Sequence, residues 1–196
     1  MSITRKPKVR FSHMGITVTD IAAMETFYTE ILGMLVTDRG NALGIDVIFM
    51  SSDPSDHHQV VLATGRPAEM PANTANAMFG PCINQISFDL GSLANLRVMY
   101  DRLLAAGYKG EAMTCFNHGT GWSVYFADPE GNNIELFVDS EWYIPQPHGV
   151  PFDFASTDAE ILAATEAMCL AHESFMPMPA WRELIGAKMN QSRQIG

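Results

Sequence analysis

Apolar and polar residues alternate along several short stretches at the start of the chain, and one longer stretch repeats apolar residues at three- and four-residue spacing. The alternation predicts strands over residues 9–18, 35–37, 47–50 and 59–63. The helical spacing predicts a helix that begins after Asp20, a residue type favoured at helix N-caps, and ends at Gly33. The predicted order is therefore strand, helix and three strands.

A second part of the chain repeats this order. Strands are predicted over residues 83–90, 110–115, 123–127 and 133–138, with a helix between Ser92 and Gly107. His13 lies seven residues before Asp20, and Gln85 lies seven residues before Ser92, so the repeat period is 72 residues. His13 and Gln85 are then equivalent positions in two paired βαβββ modules, over about 9–64 and 83–139, because a period this long does not fit a solenoid.

Glu135 is the unusual residue of the last predicted strand. The two-residue period of a strand puts it on the face opposite to Ile134, Leu136 and Val138. An unpaired buried charge is costly, so a carboxylate in so apolar a strand faces solvent, pairs with a buried cation or binds a metal. The strand alone leaves these three interpretations open.

The pattern changes after Asp139. Residues 142–147 include two prolines and predict an irregular connection. Thr157 followed by Glu160 is typical of a capping box, and the helix it starts has an apolar face formed by Ile161, Leu162, Thr165, Met168 and Cys169. A shorter helix is predicted near 180–189. We therefore interpret residues 1–140 as one domain and 141–196 as a helical extension that packs on it, covers a pocket mouth or forms a subunit interface.

The composition and charge of the chain exclude some classes of binding partner. The 196 residues are 47% hydrophobic and 17% charged, which is typical of a globular protein. The net charge of −10 argues against nucleic acid and anionic membranes as partners, and no stretch is apolar and long enough to span a membrane. Three cysteines without CxxC spacing indicate reduced thiols, and the basic first ten residues lack the apolar stretch of a signal peptide. We expect a cytoplasmic protein that binds a small molecule.

The paired modules, with His13 on the first strand of one and Glu135 on the last strand of the other, resemble the vicinal oxygen chelate superfamily. That superfamily includes glyoxalase I, bleomycin-resistance proteins and extradiol dioxygenases. The extradiol branch is most similar, because its run S-x-Y-x-x-x-P-x-G-x-x-x-E is present as Ser123, Tyr125, Pro129, Gly131 and Glu135. The resemblance covers residues 9–139 and implies an α+β fold in which the two modules form a cupped mixed sheet around one central site.

The resemblance also implies a ligand set. His13 and Glu135 match two metal ligands of the extradiol branch, and Gln85 stands where the second histidine ligand belongs. Two histidines and one carboxylate suit ferrous oxygenase chemistry because they leave open positions for substrate and dioxygen. An amide oxygen is a weaker donor than imidazole, although glyoxalase I members do use glutamine as a ligand. We therefore expect a divalent metal, Fe²⁺ first, with Mn²⁺, Zn²⁺ or Ni²⁺ as alternatives.

Three further residues are candidates for chemistry. The pair His57-His58 precedes a strand as in the extradiol branch, so the resemblance implies that His58 is the acid/base and that Tyr125 hydrogen-bonds the substrate or a bound oxygen species. His118 follows a strand in a loop, and loops at a sheet mouth often carry substrate contacts. Without the resemblance, His13 would be a hydrogen-bonded core residue, His58 a surface residue and Tyr125 a core aromatic.

Three functions remain at this point. The first is an extradiol-type dioxygenase that cleaves an aromatic vicinal diol. The second is a non-redox isomerase, epimerase or lyase of the glyoxalase type, for which an amide ligand suffices. The third is a metal-free small-molecule binding protein. In each case we expect a homodimer or a higher homo-oligomer, with the apolar tail as one candidate interface.

Overall fold

The computed structural model describes residues 10–67, 69 and 83–194. The first module forms a four-stranded sheet in the order β1-β4-β3-β2, in which β1 and β4 are parallel and the other pairs antiparallel. Its elements are β1 (Met14–Val18), α1 (Ile21–Thr26) continued by a π-helical turn (Phe27–Ile31), β2 (Leu35–Ala42), β3 (Ile45–Ser51) and β4 (Val60–Thr64). The predicted βαβββ order is confirmed here.

The second module repeats the plan with a parallel pair of its first and last strands. Its elements are β5 (Ile86–Asp89), α2 (Leu93–Ala105), a 3₁₀ turn (Gly110–Ala112), β6 (Met113–Asn117), β7 (Gly121–Ala127) and β8 (Asn133–Asp139). They belong to a five-stranded sheet in the order β10-β6-β7-β8-β5, whose first strand comes from the tail. The fold is α+β with mixed sheets, as predicted.

Local chemistry explains where both module helices begin and end. The Asp20 side chain accepts hydrogen bonds from Ala22 N and Ala23 N at the start of α1. Ser92 Oγ accepts from Asn95 N at the start of α2. Gly33 and Gly107 follow the two helices with φ of 76° and 101°, a conformation that costs glycine little.

Each sheet buries one face, and the two buried faces share one hydrophobic core with the module helices. Alternate residues of the strands therefore form the core, as the two-residue period requires. In the first module this face consists of Ile16, Val18, Ile48, Met50, Val60 and Leu62, under Met24, Phe27 and Tyr28. In the second it includes Trp122, Val124, Phe126, Ile134, Leu136 and Val138, under Leu93, Leu96 and Leu103. The opposite faces of the two sheets carry the candidate site residues.

Glu130 ties the second module to the first. It lies in the turn between β7 and β8, and its Oε1 accepts hydrogen bonds from Thr19 N at 2.6 Å and Asp20 N at 2.8 Å. Its Oε2 accepts from Arg66 Nη1 at 2.9 Å. Burial alone raises the pKa of Glu130, but the bonds from Asp20, Arg66 and Thr19 outweigh that cost and lower it. The carboxylate is therefore ionised and holds the start of α1.

The tail packs on the second module. It comprises β9 (Trp142–Tyr143), β10 (Val150–Pro151), α3 (Asp158–Leu170), β11 (Met176–Pro177) and α4 (Met178–Gln194). Thr165 of α3 is fully buried, and its Oγ1 accepts hydrogen bonds from Asn117 Nδ2 at 2.8 Å and Trp122 Nε1 at 3.0 Å. β10 adds an edge strand to β6, with Pro151 opposite Phe116. The tail is thus continuous with the sheet that holds Glu135.

The structure corrects several details of the predicted elements. The strand predicted over residues 110–115 is a 3₁₀ turn followed by β6. His13 and Gln85 lie just before β1 and β5 rather than inside them. Leu162, predicted on the buried face of its helix, is 40% exposed because Ile161, Thr165 and Cys169 form the buried stripe of α3. The last helix has 17 residues instead of about ten, and the connection after Asp139 contains the short strand β9. Among the described residues no helix is long and apolar enough to cross a bilayer.

Candidate metal centre and substrate cavity

Glu135 is buried on β8, only 5% exposed, and its carboxylate is held by three side chains. Oε1 accepts hydrogen bonds from Ser123 Oγ at 2.6 Å and Tyr125 Oη at 2.5 Å. Oε2 accepts from Gln85 Nε2 at 2.6 Å. All three donors are neutral, so no formal charge in this group balances the carboxylate.

The register of the strands explains this convergence. β7 and β8 pair antiparallel with Tyr125 opposite Glu135, so both side chains face the same way. Ser123 lies two residues earlier on β7 and therefore shares that face. Gln85 comes immediately before β5, the parallel neighbour of β8. Three of the residues predicted for the site are thus in direct contact.

His118 extends this network. It follows β6, and its Nε2 lies 3.2 Å from Tyr125 Oη. Its Nδ1 lies 2.7 Å from the backbone oxygen of His148, which can only accept a hydrogen bond. Burial, and next the hydrogen bond to Glu135, raises the pKa of the Tyr125 phenol above its usual range. Tyr125 is therefore a neutral hydrogen-bond donor between a carboxylate and an imidazole.

The other predicted histidines form a second cluster on the first module. The ring centroids of His13 and His58 are 4.2 Å apart, and Phe49 contacts His58 edge-on at 5.1 Å. His57 Nε2 lies 2.9 Å from Asp38 Oδ2, and His57 Nδ1 lies 2.9 Å from His58 Nδ1. Among the described residues, no hydrogen bond, ion pair or ring contact joins this cluster to Gln85 or Glu135.

The hydrogen bonds of this cluster define the state of His58. Asp38 Oδ2 accepts a hydrogen bond from His57 Nε2–H, and in the tautomer that has its only ring proton on Nε2, His57 accepts at Nδ1 from His58 Nδ1–H. His58 Nε2 then carries the lone pair. Burial, followed by the neighbours His13 and His57, lowers the pKa of His58, which favours this neutral form. A neutral imidazole with a free Nε2 can accept a proton.

A cavity of about 320 Å³ opens beside the Glu135 network. Its wall is mostly apolar or aromatic, with an amide, a phenol and imidazoles as polar groups, a composition suited to a flat ligand with a few polar substituents. The lining residues are Gln85, Phe116, His118, Tyr125, Pro147, His148 and Gly149. Of the predicted residues, Gln85, His118 and Tyr125 line this cavity, and His13, His58 and Glu135 are not among its lining.

Sequence reasoning missed part of this wall. The sequence patterns point to no functional role for Phe116 or His148, yet both line the cavity. Phe116 could have been found from the two-residue period of β6, which puts it on the face opposite to the buried Asn117. His148 carries no such signal, because it reaches the cavity through the irregular chain before β10.

A family model described as the Glyoxalase/Bleomycin resistance protein/Dioxygenase superfamily matches residues 10–136, which contain both modules. The chain belongs to this superfamily. A solved structure with the same architecture is a glyoxylase/bleomycin resistance protein/dioxygenase domain from Frankia sp. EAN1pec, with a TM-score of 0.56 and 22% identity, covering 68% of this chain and 100% of that one. This likeness supports the superfamily fold.

Two dioxygenases are similar in sequence to this superfamily member. Biphenyl-2,3-diol 1,2-dioxygenase 2 of Rhodococcus globerulus is 28% identical over 138 residues, which are 70% of this chain and 66% of that protein. Biphenyl-2,3-diol 1,2-dioxygenase 3 of the same organism is 28% identical over 135 residues, 67% of this chain and 64% of that protein. The matched segment thus spans slightly less than two thirds of the length of either relative.

Divalent-metal dependence is typical of enzymes in this superfamily. Among residues 10–67, 69 and 83–194, no three His, Cys, Asp or Glu side chains are grouped closely enough to hold a metal. The donor chemistry at Glu135 nevertheless fits one, because a buried carboxylate with three neutral donors gains from a cation. Gln85 would supply its amide oxygen as a second ligand once the amide turns that oxygen toward the metal, because its nitrogen now donates to Glu135 Oε2.

Proposed function

We propose that this protein is a metal-dependent enzyme that cleaves the ring of an aromatic vicinal diol with dioxygen. The observation that carries the proposal is the aromatic-lined cavity next to a buried carboxylate, with Tyr125 and Gln85 belonging to both. The similarity to two biphenyl-diol dioxygenases supports the same chemistry. In this reaction a ring carbon–carbon bond beside the hydroxyl groups breaks, and both atoms of dioxygen enter the product.

His13, Gln85 and Glu135 are the residues that we propose as metal ligands. A divalent metal bound there would chelate the two adjacent diol oxygens and lower the pKa of their protons as a Lewis acid. Glu135 and Gln85 are already in contact at 2.6 Å. His13 is an exposed side chain next to His58, so we propose that it joins the other two as the first module's ligand.

The remaining residues bind and move protons. His58 presents an unprotonated Nε2 and would accept a proton from the diol, then return it to the ring-opened product. Tyr125 and His118 would hydrogen-bond substrate oxygens from the cavity wall. Phe116 offers an aromatic face for the ring.

A second function is favoured by one observation. The neutral amide of Gln85 donates less electron density than a histidine, which suits a metal that only polarises oxygen. A non-redox isomerase, epimerase or lyase of the glyoxalase type is therefore the competing proposal. Both proposals use the same residues and differ in whether dioxygen is consumed.

Oxygen uptake separates these functions. Tag-free protein would be loaded anaerobically with Fe²⁺, Mn²⁺, Zn²⁺ or Ni²⁺, and mixed with catechol, 3-methylcatechol or biphenyl-2,3-diol in an oxygen electrode. We expect uptake of one dioxygen per diol with Fe²⁺ or Mn²⁺, together with a ring-cleavage chromophore. A metal-loaded protein that consumes no oxygen with any diol supports the non-redox proposal, and a protein that takes up no metal supports a binding protein.

A further inference from the structure

We infer that the tail loop, residues 146–149, is a positioning element of the site and acts through the backbone carbonyl of His148. For its catalytic consequence this inference rests on the proposed function. The matched family region ends at residue 136, so the loop lies outside it. The carbonyl fixes the imidazole of His118 so that Nε2 faces Tyr125 and the cavity.

The hydrogen-bond partners of His118 determine its tautomer. A backbone carbonyl has no proton to give, so the 2.7 Å contact with His148 O requires a proton on Nδ1 of His118. The opposite ring nitrogen, Nε2, is then the one that faces Tyr125 Oη at 3.2 Å. If the carbonyl moved away, neither tautomer would be favoured by this partner, and the ring could rotate.

This contact lies at the end of a continuous chain of polar groups. It runs from the His148 carbonyl through His118 and Tyr125 to Glu135, with contacts of 2.7, 3.2 and 2.5 Å. The Tyr125 hydroxyl has one proton, which it donates to Glu135 Oε1, so the imidazole nitrogen at 3.2 Å contacts the phenol oxygen and does not receive that proton. A small shift of the imidazole changes where the phenol oxygen lies relative to a bound diol, and misplacement by about 1 Å can cost a large factor in rate.

Gln146 holds the tail loop in place. Its Nε2 donates to His118 O at 2.8 Å and its Oε1 accepts from His148 N at 3.0 Å, so one amide bridges the backbones of both histidines. On the other side of the loop, His148 Nε2 lies 3.3 Å from Met168 Sδ of α3. The tail helix and Gln146 together fix the position of the carbonyl.

To test the inference, the Gln146 side chain is replaced. Gln146→Met keeps the length of an exposed side chain and removes both bonds to the histidine backbones, together with a longer one to Ile144 O at 3.3 Å. Gln191→Met changes an exposed glutamine of α4 as the matched control. Long-range ¹H–¹⁵N spectra of the metal-free proteins report the His118 tautomer without any substrate. We expect a single Nδ1–H tautomer in the wild type and in the control, and a tautomer mixture in Gln146→Met.

Kinetics on the metal-loaded proteins give the second readout. We expect kcat with the best diol to fall about tenfold in Gln146→Met with a smaller change in KM, because orientation and not binding is lost. If Gln146→Met does not fold, Met168→Leu loosens the same loop from the side of α3 and should show the same tautomer change. An Nε2–H tautomer in the wild type, or an unchanged tautomer in both variants, overturns the inference. The expected spectra without any diol turnover would instead overturn the proposed function and leave the positioning role intact.

Discussion

The two βαβββ modules share one backbone plan but differ in the side chains on their helix-free faces. In the second module, β7 and β8 pair with Tyr125 opposite Glu135. In the first, the corresponding strands β3 and β4 pair with Phe49 opposite Val61. An apolar pair thus stands in one module where a hydrogen-bonded polar pair stands in the other.

The equivalence extends along the strands. Val61 pairs with Gly15 on β1, and Glu135 pairs with Ser87 on β5, two positions that are 72 residues apart. Val47, two residues before Phe49, takes the place of Ser123. A carboxylate is therefore present only where the neighbouring strand supplies hydroxyl donors, since a buried charge without them would be costly.

The two modules also carry different functional groups. The first module has histidines around Phe49, with His58 next to His13. The second has the buried carboxylate, the amide and the cavity. Under the proposed function, one module supplies the proton-transfer group and the other supplies the carboxylate ligand, so neither module is sufficient alone.

The largest expected effect comes from making the second module like the first. Glu135→Val removes the acceptor of three buried or half-buried donors, and we expect a loss of about 3 kcal/mol in the free energy of unfolding, with no detectable activity. The triple change Ser123→Val, Tyr125→Phe and Glu135→Val removes two of those donors as well. The triple variant should remain inactive, but its free energy of unfolding should be only about 1 kcal/mol below that of the wild type.

Urea unfolding measures the free energy of unfolding of both variants. The reverse change, Val61→Glu, is the matched control, because Val47 and Phe49 offer no donor to a carboxylate there. A triple variant no more stable than Glu135→Val would show that the network does not explain the difference between the modules.

Replacing His58 tests the contribution of the first module. His58→Phe should lower kcat by about two to four orders of magnitude, because the general base is lost, while metal content stays the same. Stopped-flow assays and metal analysis on one preparation measure both quantities. His172→Phe, a change in a histidine of the tail, is the control. An unaffected rate would make His57 and His58 surface residues without a catalytic role.

The contact between the modules gives a smaller effect, and it depends on pH. Glu130→Gln weakens hydrogen bonds to Thr19, Asp20 and Arg66, and should cost about 2 kcal/mol of unfolding free energy at neutral pH. The folded-state pKa of Glu130 is lowered, so its stabilisation is present above the unfolded pKa, about 4.3, and is lost as the pH falls through the lower folded value.

Denaturant titrations of wild type and Glu130→Gln across this pH range measure the effect. The two unfolding free energies should differ at pH 7 and converge in acid. A constant difference across the whole range would contradict a contribution from the ionised carboxylate.

The smallest expected effect concerns the ligand that departs from the extradiol pattern. Gln85→His would complete a set of two histidines and one carboxylate, and we expect roughly tenfold tighter Fe²⁺ binding with higher catechol-dependent oxygen uptake. Anaerobic iron titration measures the affinity. A variant that binds iron less well than the wild type would show that the amide is tuned to the present reaction.

The sequence predicts the part of the site that depends on periodicity. Two helix caps define the repeat and make His13 and Gln85 equivalent, and the two-residue period of β8 separates Glu135 from the core. These predictions succeed because caps and strand faces are local properties. The contact of Gln85, Tyr125 and Ser123 with Glu135 then follows from strand pairing alone.

The parts that the sequence does not predict depend on contacts between distant backbone groups. Glu130 lies in the turn between β7 and β8, and no local pattern indicates that its carboxylate accepts hydrogen bonds from the backbone of Thr19 and Asp20. The His148 carbonyl would bind His118 whatever side chain it carried. Leu162 fits a helical apolar stripe by spacing, but only packing decides which edge of that stripe is covered.

If the two modules share one metal, as the proposed ligand set requires, metal stoichiometry is the most direct measurement. Tag-free wild type, His13→Ala and Glu135→Gln would be equilibrated anaerobically with Fe²⁺ or Mn²⁺, passed over a desalting column and analysed by inductively coupled plasma mass spectrometry. We expect one metal per chain in the wild type. We expect that metal to be lost in both variants, although His13 belongs to the first module and Glu135 to the second. Retention of the metal after either substitution, or two metals per wild-type chain, would contradict it.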